Sequence, residues 1–154
     1  MGAGKNESYS TFLIDGAGSK IIKNLSIVEE SKKNKILNIT VNTLKNICKK
    51  YIPEKPVIHF CKIDVEGGEK DVLLGYDFEN YRPKVFCIES TIPETSIPCH
   101  EQWEDILLKN DYSFAYQYSI NRFYIDNRNP DLKGKIYLIE KSIRYFIQKK
   151  NKKM

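Results

Sequence analysis

FCKIDVEGGEKDVLLGYDF at residues 60–78 and RPKVFCIES at residues 82–90 carry the architecture of this chain. Pro56 releases an apolar, β-branched run from Val57 to Val65 that is too short for a buried helix and reads as a strand. Glu66-Gly67-Gly68 then turns the chain. A short helix follows with Val72 and Leu73 as its apolar pair, and Gly75 stands where a C-terminal cap belongs. A second apolar strand begins just after Arg82-Pro83 and runs from Lys84 to Ser90. Strand, helix and strand in so short a span make a βαβ unit, with parallel strands and a right-handed crossover.

Upstream, Leu44, Ile47, Cys48 and Tyr51 fall at helical spacing ahead of Pro53, with Thr40 and Asn42 as candidate caps. Earlier still, Tyr9 to Ile14 alternates weakly as a strand, and Asp15-Gly16-Ala17-Gly18-Ser19 is turn chemistry. Downstream, Thr91 to Cys99 holds two prolines and reads as a loop, and His100 to Lys109 as a helix with Trp103, Ile106 and Leu107 on its inner face. Tyr112 to Tyr118 and Arg122 to Ile125 flank Ser119-Ile120-Asn121, the layout of an antiparallel hairpin at a sheet edge. A last helix would place Ile136, Ile139, Ile143, Phe146 and Ile147 on one stripe. The chain divides into an N-terminal connecting segment with a short strand (1–37), an α/β portion (38–126), and a loop with a basic helix or tail (127–154).

With 41% apolar and 12% aromatic residues among 154, the chain can bury a core, which excludes wholesale disorder. Its net charge of +5 comes from the end. Residues 141–154 hold six bases and no acid, leaving 19 bases against 20 acids in residues 1–140. A nucleic-acid partner is therefore not expected, and membrane contact would rest on the tail alone. Cys48, Cys61, Cys87 and Cys99 form no CxxC pair and have no histidine at ligand spacing, so neither zinc nor a disulfide framework is indicated. No stretch approaches the roughly 18 to 20 apolar residues that span a bilayer. A reducing, cytoplasmic setting fits best.

Ligands of open α/β sheets gather beyond the carboxyl ends of the parallel strands. Asp64 and Glu66 leave the first central strand there, and Glu89 leaves the second. Three carboxylates on one rim can bind a metal through oxygen, take a proton from a hydroxyl, or hold a cofactor's amine or ribose hydroxyls. Alternatively, Asp64 caps the next helix, Glu66 offsets its dipole and Glu89 pairs with a lysine. Gly67-Gly68 either admits a ligand close to the backbone or merely permits the turn. His59, inside the first strand, reads as a packed core histidine. His100 is either a base on the same rim or an exposed helix-start residue. Asn121 and Arg122 at the hairpin tip can grip a hydroxylated or anionic substrate, or serve as turn former and solvated charge. Tyr112, Tyr116, Tyr118 and Tyr124 read as packing residues ahead of pocket residues.

These blocks resemble the FkbM-type methyltransferase family, whose hallmark is a K-I-D-V-E-G-x-E stretch, an apolar helix ending near glycine, and R-P-x with an apolar strand ending in glutamate. ESTIPETSIPCHEQWEDILLKNDYSFAYQYSINRFYID is similar to the branch found beside sugar and polysaccharide biosynthesis enzymes, and ITVNTLKNICKKY resembles the family's helix ahead of the hallmark strand. The resemblance spans about residues 38 to 126. It implies a Rossmann-like methyltransferase fold and methyl transfer from S-adenosylmethionine to a hydroxyl of a sugar, polysaccharide or secondary metabolite. It places Asp64 and Glu66 where donor and acceptor meet, with Asp64, Glu66 and His100 as candidate bases and Glu89, Asn121 and Arg122 on the substrate side; no metal is assigned. A complete member carries a strand and a glycine-rich turn ahead of this block. Gly2-Ala3-Gly4 and Gly16-Ala17-Gly18 follow no apolar strand, so the chain reads as the C-terminal half of the sheet without the N-terminal cofactor-binding strands. Two expectations follow: an enzyme acting on a small-molecule or saccharide acceptor, completed by a second copy or a complementary chain, or a catalytically silent binding module for a biosynthetic partner.

Overall fold

A computed structural model describes residues 2–14, 20–22, 35–52, 54, 56–129, 131–132, 134–135 and 141. The apolar stripe of Ile136, Ile139, Ile143, Phe146 and Ile147 and the turn at 15–19 lie outside the described residues. Among those described, two four-stranded mixed sheets and three α-helices make an α/β fold.

The first sheet has the order β1-β4-β2-β3, from β1 (Gly2–Gly4), β2 (Ser8–Ile14), β3 (Lys20–Ile22) and β4 (Lys35–Thr43). β2 pairs antiparallel with both β3 and β4, whereas β1 runs parallel to β4, with Gly2 opposite Val41 and Gly4 opposite Thr43. The N-terminal segment thus contributes three strands where one was expected, and Gly2-Ala3-Gly4 is itself a strand. β4 runs through residues 35–43, so a division between residues 37 and 38 falls inside it.

Because β4 stays extended through Thr43, the cap of α1 (Leu44–Tyr51) is Thr43 and neither Thr40 nor Asn42. Its Oγ1 accepts a hydrogen bond from Asn46 N at 3.1 Å.

The second sheet has the order β5-β6-β8-β7, from β5 (Ile58–Ile63), β6 (Pro83–Glu89), β7 (Tyr112–Tyr118) and β8 (Asn121–Asp126). β5 and β6 are parallel, joined through α2 (Glu69–Leu74), as the βαβ pattern requires. β6 is antiparallel to β8, and β8 to β7, so the expected hairpin forms with β7 outermost. The 91–99 loop leads into a 3-10 turn at His100–Gln102 and then α3 (Glu104–Lys109), in place of one continuous helix.

β5 is an edge strand of this sheet and not a central one, with β6 its only strand neighbour among the described residues. His59 is accordingly exposed and not packed, and Phe60 is 53% exposed.

Ile63, Val72, Leu73, Phe78, Phe86, Ile88, Trp103, Leu107, Tyr112 and Tyr124 form the core. Each such side chain contributes about 1.5–3 kcal/mol by leaving water. Tyr112 and Tyr124 are packing residues with satisfied hydroxyls. Tyr112 donates to the Pro83 carbonyl at 2.7 Å, and Tyr124 to Glu104 at 2.8 Å. Tyr118, by contrast, is exposed. At the far end of β6, Arg82 grips Asp126 through Nε at 2.8 Å and an Nη at 2.7 Å, and lies over the Tyr112 ring.

Candidate functional site

β5 and β6 run in register with Ile63 opposite Ile88, which carries Asp64 and Glu89 off the sheet at the same rim. Side chains alternate faces along a strand, so Lys62 and Asp64 share one face. Glu89 lies opposite Asn121 of β8. The Lys62 ammonium bridges these groups: it sits 3.0 Å from Asp64 Oδ2 and donates a short hydrogen bond to Asn121 Oδ1.

Behind Asp64 the chain turns through Glu66 and Gly67, both at positive φ (54° and 94°). Gly67 is needed for that conformation, and a Cβ there would stand 3.3 Å from the Pro93 ring. For Glu66 the left-handed backbone is a strained choice of the kind that gathers at functional sites. The turn is held from inside by Glu69, a buried carboxylate whose Oε1 accepts from Val65 N at 3.1 Å and Gly67 N at 3.2 Å. No side chain caps α2, so the expectation that Asp64 does so fails.

Asp64, Glu66 and Glu89 each place a carboxylate oxygen within 4.8 Å of the other two. Their environments differ. Partial burial works against charge on Asp64, but hydrogen bonds from Lys62 and Glu89 outweigh it and hold Asp64 below the usual carboxylate range. Glu89 is buried, shares a hydrogen bond with Asp64, and feels the negative charge of Asp64, Glu66 and Glu69. Those causes, burial foremost, push it up to about 7. Two carboxyls driven apart in this way form the pattern of an acid–base pair.

Glu66 also lines a cleft of about 550 Å³ between the turn and the first sheet, with Gly4, Glu7, Ser8, Gly67 and Gly68 among its walls. Its volume suits a drug-sized ligand, and its polar lining is rich in oxygen acceptors. A larger hollow of about 920 Å³ lies at the opposite end, around Lys45, Asp77 and Arg82. There charged groups pair with protein partners, Lys45 with Asp77 at 4.0 Å and Arg82 with Asp126 at 2.7 Å.

Of the residues singled out in the sequence, Asp64, Glu66 and Glu89 come together, and Asn121 joins them through Lys62. His100 does not belong to the three-acid cluster and sits half-buried on the 3-10 turn. Arg122 is engaged elsewhere, donating to Glu104 at 2.8 Å and to the Tyr124 hydroxyl at 2.9 Å. Lys62 and Glu69 were not anticipated. Period-two spacing before Asp64 could have flagged Lys62, whereas nothing local distinguishes Glu69 from an ordinary first-turn acid.

A parallel strand pair ending in converging carboxylates beside a cleft defines an α/β protein with an enzyme-like rim. Residues 2–114, well over half of the chain, match the methyltransferase FkbM domain family. The chain belongs to that family. The match starts well before residue 38, so the resemblance reaches further toward the N-terminus than the blocks quoted above. No curated protein and no solved structure matches the chain. Among the described residues no helix is long and apolar enough to cross a membrane.

Proposed function

We propose that this chain takes part in methyl transfer from S-adenosylmethionine to a hydroxyl oxygen, on a saccharide or a secondary-metabolite acceptor, at the rim formed by Asp64, Glu66 and Glu89. The observation that carries the proposal is the convergence of three carboxylate oxygens within 4.8 Å at the carboxyl end of the parallel pair, adjoining a cleft that shares Glu66. Family membership supports the reaction class.

The cleft suits the donor. Glu7, Ser8 and Glu66 offer acceptors to hydroxyls, an amine and positive charge, and Gly67 leaves the backbone bare where a Cβ would crowd Pro93. Bound there, S-adenosylmethionine supplies an electrophilic methyl group. Asp64, ionised and exposed at the rim, receives the proton of the acceptor hydroxyl, with Lys62 fixing its orientation at 3.0 Å. Asn121, tied to Lys62, keeps that ammonium on the acid. His100 and Arg122 stay outside this step.

The test is calorimetric titration of the chain with S-adenosylmethionine. Saturable binding at micromolar ligand, weakened about tenfold or more in Glu66→Gln, is expected. Absence of binding at millimolar ligand rejects the assignment. With donor and acceptor present, Asp64→Asn should abolish transfer.

A second possibility is favoured by the open edge of β5, where Val57 is 71% and Phe60 53% exposed. In that case the chain is catalytically silent alone and docks a partner that adds strands. Donor binding only after mixing with such a partner would support it.

A further inference from the structure

We propose that Asp64, Glu66 and Glu89 form a binding site for one divalent, oxygen-seeking cation of the Mg²⁺, Mn²⁺ and Ca²⁺ class. Two observations carry the assignment. One oxygen from each acid lies within 4.8 Å of the other two. Independently, Glu89 is only 6% exposed, and no donor among the described residues reaches its buried Oε2. A carboxylate oxygen taken out of water without a donor is costly, and positive charge held among the oxygens removes that cost.

The neighbouring groups fit this use. Lys62 supplies one positive charge, and it is directed at Asp64 and Asn121. With all three acids ionised the cluster keeps a net charge of −2, which a divalent ion neutralises. Glu69 does not compete, because its Oε1 already serves Val65 N and Gly67 N. An all-oxygen donor set without histidine or thiolate selects a hard cation over zinc. With every pair no more than 4.8 Å apart, the three oxygens are close enough to share one ion of this class.

The assignment stands on the acid cluster and not on the transfer reaction. If both hold, Asp64, Glu66 and Glu89 would hold the ion, which would acidify a hydroxyl bound beside it, and the Asp64 oxygen not on the ion would take that proton.

The full chain, freed of metal with a chelator and dialysed, is titrated with Mn²⁺ by calorimetry, and its thermal midpoint is followed with and without Mn²⁺. One-to-one saturable binding and a raised midpoint are expected. Glu66→Gln and Glu89→Gln should each weaken binding about tenfold or more, while Asp105→Asn, an exposed acid on α3, leaves it unchanged. No saturable binding overturns the proposal, as does wild-type affinity in Glu66→Gln. Because Glu66 lies on a turn and is only half-buried, that variant decides the matter should Glu89→Gln fail to fold. Methyl transfer is not a readout here. Mn²⁺ binding without S-adenosylmethionine binding leaves the ion site standing and rejects the transfer proposal, and the reverse result does the opposite.

Discussion

Lys62, Asp64 and Glu89 illustrate how individual side chains acquire character from neighbours that the chain brings in from elsewhere. The acids themselves were legible because both strands end at glutamate or aspartate. The consequence of their meeting was not, since it depends on the Ile63–Ile88 register. Cysteine reading fared similarly: an apolar run marks Cys61 as a hydrophobe, and the structure adds the degree. Burial, with Cys48 nearby, pushes the Cys61 thiol up to about 11. A thiol so raised is protonated in the folded chain where the unfolded chain, near 9.0, would ionise. Its contribution to stability is therefore complete below about pH 9 and lost as pH climbs through about 11. We expect iodoacetamide at pH 7 to leave Cys61 unmodified in the native chain, and Cys61→Ala to lessen the loss of stability between pH 9 and 11 in alkaline urea titrations. Rapid alkylation of Cys61 at neutral pH would contradict this.

Helices and strands were readable wherever periodicity was sustained: β2, β5, β6, the β7–β8 hairpin and α1 to α3 all stand near their expected places. What escaped were the nine-residue β4 and the three-residue β1 and β3. A three-residue segment has no period of its own, and β1 and β3 become strands only by pairing with distant β4 and β2. Pairing with β2 and β1 likewise makes residues 35–43 a strand where caps were expected at Thr40 and Asn42, and so moves the α1 cap to Thr43. Gly75 shows how closely the elements are fitted. It ends α2 at an ordinary φ of −91°, yet a Cβ added there would stand 2.2 Å from the Gly4 carbonyl oxygen of β1, and its own carbonyl accepts from Lys45 N of α1 at 2.9 Å. The obstruction is backbone, which does not yield as a side chain would. Gly75→Ala is expected to cost about 1–3 kcal/mol in urea denaturation. A neutral result would mean that β1 does not rest on α2.

The order of strands was the least legible feature, because an apolar run says that a strand is buried on its faces and not how many neighbours it has. Val57 to Val65 was read as central, yet β5 closes one side of the second sheet with its outer hydrogen-bonding groups unpaired by any strand among the described residues. An edge with Phe60 exposed invites another strand. Analytical ultracentrifugation is expected to show concentration-dependent self-association, reduced in Phe60→Lys. A monomer at all concentrations would mean that the edge is protected by some other part of the molecule.

Glu69 occupies the hollow of the turn that follows β5, and two of that turn's amides are spent on it. Glycine-rich turns elsewhere hold phosphates by pointing such amides outward. This one is plugged with negative charge from within, so nucleotides and phosphorylated sugars gain no foothold on it. What lodges against the turn itself meets Glu66 and the plugged amides, and gains there by bringing hydrogen atoms or positive charge of its own.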